Sequence, residues 1–121
     1  MGDEEWSRKV YKKAETSAEG FYDVHNLANS LYENLGDNVW AEKLYKKAEN
    51  EAEDTSDLYS LAESLCKNLG VKELAKEVYS KAESKANDAD DFRWLADSIA
   101  EYLADEEWAA KLYKKAEDME N

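Results

Sequence analysis

The chain has 121 residues, enough for one domain, and 37 % of them are charged, 16 basic against 29 acidic, for a net charge of −13. That balance repels phosphate backbones and anionic lipid, because attraction to either needs clustered Lys and Arg, and it argues against nucleic acid and membrane surfaces as partners. No apolar run approaches the ~18 residues of a spanning helix, the start MGDEEW is acidic where an export signal is basic, and the lone Cys66 cannot pair within the chain; a soluble, cytoplasmic protein is expected.

Residues 3–19 carry Trp6, Val10, Tyr11, Ala14 and Ala18 at the spacing of an amphipathic helix. Asp3 stands at its N-cap position, with Glu4 and Glu5 beside the positive end of the helix dipole. A second helix is predicted over 21–35 with the stripe Val24, Leu27, Ala28, Leu31 and Leu35, and Gly36 follows where the left-handed residue of a C-cap belongs. Asp37–Ala52 returns to the first pattern with Trp40, Tyr45 and Ala48. Residues 57–69 return to the second with Leu58, Leu61, Ala62, Leu65 and Leu69, followed by Gly70. Val71–Ala86 has Val71 and Leu74 in place of the capping acid and the tryptophan, and is expected to be the weaker copy. Residues 91–103 carry Phe92, Leu95, Ala96, Ile99 and Leu103; Ala104 then replaces the glycine, at a cost on the order of 1 kcal/mol if the same turn is kept, the alternative being helix straight through the joint. Asp105–Met119 restores Trp108, Tyr113 and Ala116. The joints around Gly20, Asp54–Ser56 and Asn87–Asp90 are short, polar and rich in capping residues.

These elements recur at an interval of 34, giving units 2–35, 36–69, 70–103 and a half unit 104–121. Self-similarity at this period marks a stacked repeat, in which no unit can bury its apolar face alone. Seven antiparallel helices in one domain, 1–121, are expected, alternating a tryptophan-and-tyrosine type (B) with a leucine-stripe type (A).

Leu58-x2-Leu61-Ala62-x2-Leu65 and Ala75-x3-Tyr79 with Ala82 resemble the tetratricopeptide repeat, and the same halves return as Val24, Leu27, Ala28, Leu31, as Phe92, Leu95, Ala96, Ile99, and as Ala41/Tyr45/Ala48 and Ala109/Tyr113/Ala116. The stretch from Leu65 to Ala75 is one residue longer than the family spacing, and the B-to-A joint is one shorter and lacks the family's proline. The Tyr-Lys-Lys-Ala element also looks like Sel1-type repeats, whose period is longer. The resemblance implies an all-α, right-handed α-solenoid of antiparallel helical hairpins. It also implies a groove for peptides on the A helices, here Tyr22, His25, Asn29, Tyr32, Tyr59, Glu63, Arg93, Trp94 and Asp97. Residue type changes from copy to copy on that face while the leucine stripe holds, which is expected both of a partner surface and of solvated positions that drift freely. Exposed Tyr and Trp beside carboxylates suit a peptide or protein with apolar and basic anchors.

Other constellations read more simply as framework. His25 and Cys66 are the only residues of their kinds and show neither the ligand set of zinc nor a Cys–His nucleophile with its orienting group, so no cofactor, no metal and no enzyme activity are expected. The acids at Asp3–Glu5, Asp88/Asp90/Asp91 and Asp105–Glu107 lack the glycine and closing glutamate of a calcium loop and are read as helix caps. Trp6, Trp40 and Trp108 share one repeat position and are read as packing residues; emptying the Trp40 site is expected to cost roughly 3–5 kcal/mol. The first and last helices have no polar caps, which points to self-association of the ends. Two functional readings follow: a non-enzymatic scaffold that holds a peptide or protein on the A-helix face, or a designed or purely structural repeat with no natural ligand.

Overall fold

A computed structural model describes residues 2–120, and side chains from Glu4 to Glu120. Among the described residues the chain is all-helical, with no strand: α1 (Gly2–Ser17), α2 (Gly20–Leu35), α3 (Asn38–Glu51), α4 (Thr55–Ser64), α5 (Lys72–Lys85), α6 (Ala89–Tyr102) and α7 (Glu106–Glu120). The B helices are α1, α3, α5 and α7, and the A helices α2, α4 and α6. None of the described helices is long and apolar enough to cross a membrane.

The chain forms two compact units, Met1–Ala52 and Glu53–Asn121. In the first, α2 packs against α1 and α3. Its core joins Phe21, Val24, Leu27, Ala28 and Leu31 of α2 to Ala41, Leu44, Tyr45 and Ala48 of α3. In the second, α4 packs against α5 and α6, and α6 against α7. There the leucine stripes Leu58, Leu61, Leu65 and Leu95, Ile99 are buried with Val78, Tyr79 and Leu112. Burying each such side chain contributes roughly 1.5–3 kcal/mol. Ala28, Ala62 and Ala96 are wholly buried beside these leucines, and their small size lets helix backbones approach.

Capping follows the repeat with few exceptions. Asp37, Asp54, Asp88 and Asp105 each accept a bond from the backbone N–H three residues on, at 3.0, 2.9, 2.9 and 3.0 Å. A second aspartate per A helix reaches back to the N–H four residues earlier: Asp23 to Glu19, Asp57 to Glu53 and Asp91 to Asn87, at 3.1, 3.0 and 2.9 Å. The acids once open to a calcium reading, Asp88 and Asp91, thus serve helix starts. Val71, at the N-cap of α5, makes no side-chain cap bond, as its chemistry requires. The expected cap at Asp3 lies outside the described side chains.

Gly36 and Gly70 adopt the left-handed conformation at φ 63° and 66°, and Ala104 keeps the same turn at φ 54°. Helix therefore stops at this joint too, and the alanine bears the strain of its Cβ. Ala104→Gly is expected to raise stability by about 1 kcal/mol, read as a higher urea midpoint at unchanged slope. The one local departure is the end of α4, where Leu65–Leu69 forms a π-helical turn closed by the Gly70 N–H on the Leu65 carbonyl. The aligned turn of α2 closes instead from Gly36 N–H to the Tyr32 carbonyl at 3.1 Å, although both sequences end Leu-x-x-Asn-Leu-Gly.

Candidate functional site

The face expected to meet a partner lies on the A helices, and its polar side chains are positioned by tyrosines of the B helices. In the first unit the Tyr45 hydroxyl, on α3, donates to Asn29 Oδ1 of α2 at 2.5 Å. In the second, Tyr113 on α7 donates to Asp97 Oδ1 of α6, the same repeat position. The third copy inserts a serine: Ser98 Oγ donates to Glu63 Oε2 at 2.6 Å, which leaves Tyr79, also 2.6 Å from Ser98 Oγ, as donor to that oxygen. Asn29, Glu63 and Asp97 look freely variable in sequence, yet each supplies an acceptor oxygen to this set. Burial pushes the Tyr79 hydroxyl and the Glu63 carboxyl up from their ordinary values, Ser98 opposing both, while the bond to Asp97 raises Tyr113.

The raised Glu63 has a sign that can be tested. Its carboxyl binds a proton more readily folded than unfolded, so stability rises as pH falls from its folded pKa toward the ordinary 4.5, and the cost of the buried charge is fully present above that window. Glu63→Gln keeps an acceptor for Ser98 and removes the charge. Urea melts at pH 7 and pH 5 are expected to show a smaller gain on acidification in the variant than in the parent; parallel pH curves would reject the assignment.

A second device joins successive B helices. Trp40 Nε1 on α3 donates to Glu15 Oε1 on α1 at 3.1 Å, with its ring edge-on to Tyr11, centroids 6.4 Å apart at 81°. Trp108 on α7 does the same to Glu83 and Tyr79 on α5, at 3.0 Å, 6.3 Å and 80°. Lys115 completes the second clasp at 2.6 Å from Glu83; burial raises this carboxyl, but the bonds from Lys115 and Trp108 outweigh it and hold it below its ordinary value. Arg8 adds a 2.8 Å contact to Asp37, which lowers that carboxyl together with the Trp40 N–H. Trp6, read from sequence as a packing residue, is instead 67 % exposed, since no B helix precedes α1 within the described chain. Glu15 and Glu83, each 25 residues before its tryptophan, were the missed sequence signal for the tryptophan N–H.

The predicted partner residues fall into three groups. Tyr22 and Trp94 are exposed, at 69 % and 52 %. Tyr32 and Tyr59 are half-buried. The remainder are engaged within the chain: His25 is buried with its ring 5.0 Å from Phe21 and 6.0 Å from Tyr45, Asn29, Glu63 and Asp97 accept the bonds above, and Arg93 pairs with Asp90 at 2.7 Å and with Glu120. Tyr22, His25, Asn29 and Tyr32 share one face of α2. In the second unit Tyr59 and Glu63 lie one turn apart on α4, as do Arg93 and Asp97 on α6.

Cys66 is half-buried, and burial pushes its thiol up against the pull of Lys72, which disfavours the nucleophilic thiolate. Among the described residues no group of three or more His, Cys, Asp or Glu is placed to hold a metal ion. No protein-family model, curated protein or solved structure matches the chain.

Proposed function

We propose that the chain is a non-enzymatic helical-repeat scaffold, a right-handed solenoid of antiparallel hairpins similar to tetratricopeptide repeats, which holds a peptide or protein on its A-helix face. The return of the same aspartate caps at the 34-residue period, and of the tyrosine–acceptor bond at twice that period, supports the repeat architecture. The observation that carries the binding role is Trp94: it stands 52 % exposed on α6 at the position of Asn26 and Ser60, while Leu95 and Ala96 beside it are fully buried. An exposed indole at a position otherwise polar is costly to hold in water and is the usual chemistry of a binding anchor. The acidic chain favours a partner with basic residues next to its apolar anchors.

The test is a peptide-library pull-down repeated with Tyr59→Ala and Trp94→Ala. Loss of capture with an unchanged far-ultraviolet circular dichroism spectrum supports the role, and undiminished capture by both variants rejects it. A second reading, a structural or designed repeat with no ligand, is favoured by the burial of His25 and the intramolecular bonds of Asn29, Glu63, Arg93 and Asp97, which leave five of the nine residues committed to the fold.

A further inference from the structure

The first unit contains a groove whose counterpart in the second unit is filled. Between α1 and α2 lies an open cavity of about 370 Å³, lined by Ala14 and Ser17 of α1, by Ala18 just after it, and on α2 by Asn26, Leu27 and Ser30 among others. Two repeats later, at a shift of 68, these positions are Ala82 and Lys85 of α5, Ala86 just after it, and Trp94, Leu95 and Ser98 of α6. In the second unit α4 packs against both α5 and α6. Its Thr55 Oγ1 donates to the Ala82 carbonyl at 3.2 Å, and its Glu63 accepts from Ser98 at 2.6 Å. The exposures follow: Val10 is 43 % exposed where Val78 is fully buried, and Ala14 and Ser30 are half-buried where Ala82 and Ser98 are buried.

We infer that the α1–α2 groove is a docking site for an amphipathic helix of the α4 kind, supplied by another polypeptide. The helix that fills the matching groove specifies the ligand: an apolar row Leu-x2-Leu-Ala-x2-Leu to cover Val10, Ala14 and Leu27, a Thr or Ser hydroxyl one turn before it to meet the Ala14 carbonyl, and a carboxylate directly after the Ala to accept from Ser30. Helix-in-groove docking of this kind continues an interface the chain already makes once.

The probe is a fluorescein-labelled peptide of residues 53–70 with Cys66→Ser, titrated against the full chain by anisotropy. Saturable binding is expected, with amide shifts of the isotope-labelled chain at Ala14, Leu27 and Ser30. Val10→Asp and Asn26→Glu alter exposed side chains, so the fold persists in circular dichroism, and each is expected to weaken binding at least about tenfold by placing a charge against the apolar row. Absence of saturation at millimolar chain, binding indifferent to both variants, or shifts confined to α5 and α6 would overturn the inference. A mass that doubles with concentration without peptide, and falls back with Val10→Asp, would assign the groove to a second copy and overturn the separate partner.

Discussion

Tyr79→Ala is expected to lower the unfolding free energy by about 4 kcal/mol, the largest loss for a single substitution. Tyr79 is fully buried, its ring meets Trp108 edge-on, and its hydroxyl donates to Ser98 in the chain that ends on Glu63. Truncation opens a cavity, leaves the Trp108 edge without its partner and deprives a buried serine of a donor. Tyr79→Phe isolates the last of these and is expected to cost about 1–2 kcal/mol. Tyr113→Phe removes the matching hydroxyl at a 41 % exposed site, where water can replace the lost bond to Asp97, and should cost under about 0.5 kcal/mol. Urea denaturation of the three variants checks the order; equal losses for the two Phe variants would contradict it.

The tryptophans are expected to divide in the same way. Trp40→Ala and Trp108→Ala should each cost about 2–3 kcal/mol, because each loses a ring contact to a tyrosine and an N–H bond to a glutamate. That is less than the penalty expected for a wholly buried tryptophan, since both side chains remain half-exposed. After Trp108→Ala, Lys115 still faces Glu83, so no charge is stranded. Trp6→Ala should change stability by under about 0.5 kcal/mol, since Trp6 stands in water. Thermal or urea melts suffice, and a Trp6 loss equal to that of Trp40 would show that α1 is covered in solution.

The helices and their ends were legible because short-range chemistry sets them. Stripes at 3.6-residue spacing, an aspartate before each of α3, α4, α6 and α7, and a left-handed residue after each A helix all act within one turn of the backbone. The π-helical turn at Leu65–Leu69 was not legible, since α2 ends in the same Leu-x-x-Asn-Leu-Gly and closes as an ordinary turn. On the candidate face, comparing copies by residue type misled: Asn29, Glu63 and Asp97 differ in charge and length but agree in offering an oxygen, and it is the oxygen that the tyrosines or Ser98 use. Likewise His25 reads as a polar surface residue, yet it lies against Phe21 and Tyr45, a contact only the packed helices reveal. Trp6 shares the repeat position of Trp40 and Trp108 but stands in water, so repeat position alone does not set burial. What survives as surface chemistry is Tyr22 in the first unit and Trp94 in the second, both exposed, with Tyr32 and Tyr59 half-buried.

The most direct measurement of the scaffold role is a titration of the isotope-labelled chain with the tightest peptide from the library, followed through amide and indole resonances. Binding on the A-helix face predicts shifts at the Trp94 indole N–H and at the amides around Tyr59 and Arg93, saturating together with one dissociation constant. A spectrum in which the Trp94 indole stays fixed while the peptide binds elsewhere, or while no peptide binds, would contradict it.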